Sequence, residues 1–136
     1  MKKDIFDTAH APYYLVTPPY VEGSGGVRAM HYFCHALNLA GEEAYVNTGE
    51  VSPGLRTPEL TDEVREKHSD FGIEPIVVYP EIVADNPMAA KHVVRYLLNT
   101  PSVVTTQKTN WGDDDIIFSF GKVIIPEGMD AHILEV

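Results

Sequence analysis

Between Pro18 and Gly26 the chain reads Pro-Pro-Tyr-Val-Glu-Gly-Ser-Gly-Gly. This glycine-rich stretch lies between a short β-rich run, Tyr13 to Thr17, and a helical pattern that begins at Val27. Glycines in such a loop let a ligand come close to the backbone. The helix start at Gly26-Val27 offers free N–H groups and a partial positive charge, which suit an anion or a sugar hydroxyl. Arg28 adds a full cation in the first turn. Neither common nucleotide motif is complete. For the dinucleotide fingerprint, Gly23 and Gly25 fill the first two positions but the third falls on Arg28, and the second strand ends at Asn47 rather than in an acid for the ribose. No Gly-Lys-Ser/Thr follows, so the loop is not a P-loop. On these residues alone the loop is either a ligand cradle or a plain connector.

Other groups were weighed for chemistry. His31 and His35 are four apart on one helical face, a spacing that can hold a metal. Residue 32 is Tyr where a zincin helix has Glu, and Cys34 falls on the apolar face, so no metal site is expected. Asp113-Asp114-Asp115 matches no calcium loop and reads as a solvated turn. Lys91 and Arg95 read as the wet side of a helix. Trp111, in a polar loop, either stacks on a glycan or pins the loop to the core.

The elements that would position these groups alternate. Met30, Phe33, Cys34 and Leu37 make one helical face, Gly41 caps the helix, and Ala44 to Val46 resumes as a strand. Asn47 to Arg56 reads as loop. Thr57-Pro58 predicts a cap and first turn for a helix through Leu60, Val64 and Phe71, closed by Gly72. Pro75 to Tyr79 is an apolar run suited to a strand buried on both faces. Asn86-Pro87 predicts another capped helix, through Ala90, Val93, Val94 and Leu97 to about Asn99. Short strands are expected at Val103-Val104, Ile116 to Phe120 and Ile133 to Val136. The alternation predicts an α/β fold: a Rossmann-like, mostly parallel sheet with helices on both faces. Residues 1–12 are expected to be an extension and 13–136 the domain, with the sheet pattern continuing beyond Val136 into a second α/β domain.

The 136 residues carry a formal net charge of -10. That balance repels phosphate backbones and anionic lipid, so a nucleic-acid partner is not expected. The single Cys34 allows no intrachain disulfide. The first ten residues lack the apolar stretch of a secretory signal, and the chain is expected to be cytoplasmic.

The run Ser24-Gly25-Gly26-Val27-Arg28-Ala29-Met30, followed by His35 to Val46 with its Leu37-Asn38-Leu39-Ala40-Gly41 turn, resembles the start of GT-B glycosyltransferases. Ile76 to Val83, then Asn86-Pro87 and Val93 to Asn99, is similar to bacterial envelope-polysaccharide enzymes of that type. The resemblance runs from about Tyr13 to the C-terminus. It implies the acceptor-side half of an enzyme that moves a sugar from a nucleotide-sugar donor to a glycan or glycolipid acceptor. Most of the donor would be held by a second domain, and this chain alone would be inactive. By position, Ser24, Gly25, Gly26 and Arg28 would line the cleft near donor phosphates or acceptor. Glu81, Asp85 and Asn86 would face the acceptor, with Asn86 also read as a helix cap. No catalytic base is placed, no cofactor is expected, and self-association through the exposed interface is anticipated. The alternative is a non-catalytic binding module on the same fold. An oxidoreductase is disfavoured by the incomplete fingerprint.

Overall fold

The computed structural model describes residues 11–98, 111–121, 125 and 129–134. The elements are β1 (Tyr13–Leu15), α1 (Gly25–Leu39), β2 (Ala44–Val46), α2 (Asp62–Asp70), β3 (Ile76–Pro80), β4 (His92–Leu97), β5 (Ile116–Ser119) and β6 (His132–Ile133). All six strands pair in parallel, in the order β2-β1-β3-β4-β5-β6. Register places Tyr14 beside both Tyr45 and Val77, and Val78 beside Val94.

An isolated parallel bridge joins Val46 to Glu59 on the outer side of β2. Leu60 N–H donates to Val46 O at 2.7 Å and Val46 N–H to Pro58 O at 2.9 Å. Counting this vestigial strand, the sheet reads Glu59-β2-β1-β3-β4-β5-β6; its first six positions follow the 3-2-1-4-5-6 order of dinucleotide-binding folds, and β6 extends the edge beyond β5. The sheet is Rossmann-like, and its order reverses between β1 and β3.

Right-handed crossovers put connections stepping one way on one face and those stepping back on the other. The packing agrees. On the first face α1 lays Met30 and Cys34 onto Leu15, Val46, Val78 and Tyr96. On the second, Leu60 and Val64 pack with Tyr14, Val77, Tyr79 and Val93, joined by Val83 and Met88 of the β3–β4 connection. Beyond α1 the first face opens as an apolar groove of about 880 Å³, bordered by Phe33, Val94, Ile116 and Phe118. No helix among the described residues is long and apolar enough to cross a membrane.

Three expectations need correction. The helix predicted from Asn86 to Asn99 is instead a turn-rich connection followed by β4. Val93, Val94 and Leu97 belong to a strand with apolar residues on both faces, and Ala90 to the connection before it, a pattern that periodicity cannot separate from a helix. Ala89 at φ 50 takes the backbone out of the helical region. The second helix starts four residues later than Thr57 implied. Thr57 to Leu60 is extended against β2, and Thr61 is the cap, its hydroxyl accepting from Val64 N at 3.2 Å. Pro12, assigned to the extension, is buried, and its carbonyl accepts from Ile76 N at 2.9 Å. The expected Val103-Val104 strand lies outside the described residues.

Candidate functional site

In a doubly wound sheet the two connections leaving the carboxyl ends at the switch point diverge to opposite faces and open a crevice. Here these are the segments after β1 and β3. A cavity of about 190 Å³ lies there, lined by Pro18, Ser24, Gly26, Val27 and Met30 on one side and Pro80, Glu81, Ile82 and Leu98 on the other.

The loop after β1 is held before any ligand arrives. Thr17 N–H donates to Asn47 Oδ1 at 2.8 Å and Tyr20 N–H to Glu50 O at 2.8 Å. His31, fully buried on α1, has Nε2 3.1 Å from the Pro18 carbonyl. Because that oxygen only accepts, His31 carries its proton on Nε2. Ser24 closes the loop as the helix cap: its Oγ accepts from Val27 N at 3.3 Å and its carbonyl from Arg28 N at 2.9 Å. The amides of Gly25 and Gly26, which precede the first intrahelical bonds, find no acceptor among the described residues. The first turn of α1 also has no acidic side chain to offset its positive end.

The two glycines answer no packing demand of the described residues. A Cβ on Gly25 would meet nothing within 4 Å among the described residues. One on Gly26 would touch Leu98 Cδ1 at 3.8 Å and Cβ at 3.9 Å, ordinary contacts. Alanine in a helix is more stable than glycine by roughly 0.5–1 kcal/mol. What glycine preserves here is open space before the helix amides.

Facing them across the crevice, Glu81 is 3% exposed and its Oε1 accepts from Leu98 N at 2.7 Å. An N–H donor pair opposite a carboxylate suits a group that both accepts and donates, as a hydroxyl does.

Of the residues expected to bind, Ser24, Gly26 and Glu81 line this cavity, with Gly25 beside them. The others lie elsewhere. Arg28 turns back to Glu22, Nη1 to Oε2 at 3.7 Å. Asp85 and Asn86 belong to the connection that runs down the second face. Asp85, at φ 60, gives its carbonyl to Arg95 Nη2. Asn86 is a turn brace rather than a helix cap. Its Oδ1 accepts from Tyr79 OH at 2.6 Å and Ala90 N at 3.0 Å, and its Nδ2 donates to Ala90 O at 2.8 Å. The sequence does not point to Leu98 as a wall of the cavity, to His31 as a pin or to Asn47 as the brace of the loop. A histidine on the buried stripe of α1, seven residues past the cap, was the available signal for the pin.

The other clusters are structural. Arg95 is 1% exposed, not the wet face of a helix. Its Nε donates to Asp115 Oδ2 at 2.8 Å and its Nη1 to Val83 O at 3.2 Å. Its guanidinium sits 4.8 Å from the Tyr79 ring centre and 5.4 Å from that of Trp111. Trp111 thus pins its loop, with Nε1 3.4 Å from Val83 O. His35 Nδ1 accepts from Arg56 N at 2.8 Å, away from His31. Burial pushes the Cys34 thiol up to about 12, partly offset by a hydrogen bond from Asn38. No cluster of three or more His, Cys, Asp or Glu able to hold a metal occurs among the described residues.

Comparisons of the chain with protein-family models, with curated proteins and with solved structures give no match.

Proposed function

We propose that this chain is the acceptor-side domain of a two-domain glycosyltransferase that moves a sugar from a nucleotide-sugar donor to a glycan or glycolipid acceptor. The observation that carries the reading is the crevice: the amides of Gly25 and Gly26, without an acceptor among the described residues, opposite the buried carboxyl of Glu81. A sugar hydroxyl can accept from the first and donate to the second. A diphosphate would meet repulsion from a net charge of -10. The reading therefore leaves the donor diphosphate to the second domain. Fold analogy supports it only at the level of architecture. The sequence resemblance supplies the reaction class. A cytoplasmic location belongs to the same reading and agrees with a single, buried thiol.

Transfer needs donor and acceptor held in one geometry, an effect worth about 7–11 kcal/mol in well-aligned systems. Half a cleft does not supply it. In a radiometric assay with a panel of nucleotide sugars and oligosaccharide acceptors, the 136-residue chain should bind acceptor weakly and transfer nothing. Robust turnover by this chain alone would overturn the assignment as a half-enzyme. Saccharide binding without turnover, even when the chain is joined to a donor domain, would favour a non-catalytic module.

A further inference from the structure

We infer that Leu98, held in place by Glu81, sets the size of the group the crevice admits; this rests on reading the crevice as a saccharide site. Leu98 follows the last residue of β4, and its amide bond to Glu81 Oε1 at 2.7 Å is shielded from water by the burial of the carboxylate. Breaking a buried hydrogen bond strands both partners, so this one holds the backbone at Leu98. The side chain stands against the first turn of α1, 3.8 Å from where a Gly26 Cβ would lie. The width of the gap therefore follows from two residue choices: glycine at 26 and leucine at 98.

The remaining walls are less adjustable. Pro18 and Pro80 are conformationally stiff. Met30, 1% exposed, is locked in the core, whereas Ile82, 45% exposed, sits at the rim. Leu98 is half-buried and packs against the edge of the core cluster that holds Met30 and Tyr96, so trimming it widens the crevice at some cost in stability. At about 190 Å³ the cavity is smaller than the roughly 300–1,000 Å³ that encloses a whole drug-sized ligand. It takes one compact group and leaves the rest of the ligand outside. A bulky substituent, such as an acetamido group, should be refused.

Saturation-transfer NMR titrations with glucose and N-acetylglucosamine test this on the full chain, its Leu98→Ala variant and its Gly26→Ala variant. Wild type should prefer glucose by about tenfold, the usual worth of a small steric misfit in an apolar pocket. Leu98→Ala should bring that ratio close to one, and Gly26→Ala should weaken both sugars. Leu98→Val, a smaller cut, gives the same comparison where the alanine variant loses stability. Saccharide binding with a ratio unaltered in the Leu98 variants would overturn the role of Leu98 while leaving the crevice as the site. No saturation transfer from wild type to either sugar would overturn both the saccharide reading and this inference.

Discussion

The second face of the sheet and the crevice at its carboxyl ends both collect polar side chains, but they treat them differently. On the second face, His68 is the one buried residue of α2. Its Nδ1 lies 2.5 Å from the Tyr14 hydroxyl and its Nε2 3.0 Å from Glu43 Oε2, which also accepts from Tyr45 OH. A carboxylate only accepts, so a neutral His68 carries its proton on Nε2 and takes a bond from Tyr14 at Nδ1. Arg95 is likewise spent on Asp115, Val83 and Asp85. These assemblies are closed, each buried polar side-chain atom having at least one partner in the chain. A hollow of about 380 Å³ beside His68 is larger than the crevice, yet the buried polar groups at its floor are already engaged. In the crevice, among the described residues, the Gly25 and Gly26 amides have no acceptor and a Cβ at either glycine would meet no close contact. Satisfaction of polar groups, rather than cavity size, separates scaffold from site.

The contrast predicts opposite outcomes for substitutions in the two regions. The largest effect should come from Asp115→Ala, which leaves a buried guanidinium without its counter-charge. Breaking such a pair costs about 3–5 kcal/mol. Urea unfolding should show that loss, and a change under about 1 kcal/mol would mean that Arg95 is far better hydrated than its burial implies. His68→Ala should cost about 1–3 kcal/mol, the range for stranding buried hydrogen-bond partners. It should do so without altering saccharide binding in the crevice.

The same assembly should leave a pH signature. The Tyr45 hydrogen bond, with His68 adding to it, holds Glu43 below the usual carboxylate range, against an opposing effect of burial. Its folded-state pKa is thus lower than its unfolded one. The stability it contributes is present above the unfolded value and is lost as pH falls through the folded one. Glu43→Gln should flatten the acid limb of a plot of unfolding midpoint against pH. An unchanged limb would remove Glu43 from the account.

The smallest stability change should come from Gly26→Ala. Helix propensity favours alanine by up to about 1 kcal/mol, so thermal stability should hold or rise slightly while saccharide binding falls. A clear loss of stability would mean that the glycine serves packing after all, and would erase the distinction between the regions.

The legible part of this molecule was the part governed by local rules. The β1–α1–β2 unit could be read because its glycines, its four-residue apolar stripe and Gly41, at φ 93, punctuate it sharply. The general position of ligands in such sheets pointed to Ser24 and Gly26, and the family resemblance to Glu81; all three line one crevice. What escaped depended on neighbours distant in sequence. β4 is a strand because β3, apolar on both faces, needs a second partner, and nothing local to Val93-Val94 says so. Arg95 looked like a surface cation because its partner, Asp115, is twenty residues away. Asp85 and Asn86 follow the connection onto the second face, a consequence of crossover handedness rather than of their own chemistry.

The most direct test of the central claim is a map of where a saccharide binds. An amide-resolved NMR titration of the chain with glucose should shift Gly25, Gly26, Ile82 and Leu98 together, at one common dissociation constant. Tyr14, Tyr45 and His68 should stay in place. Shifts centred on the His68 assembly, or none at the two glycines, would contradict the assignment of the crevice as the functional site.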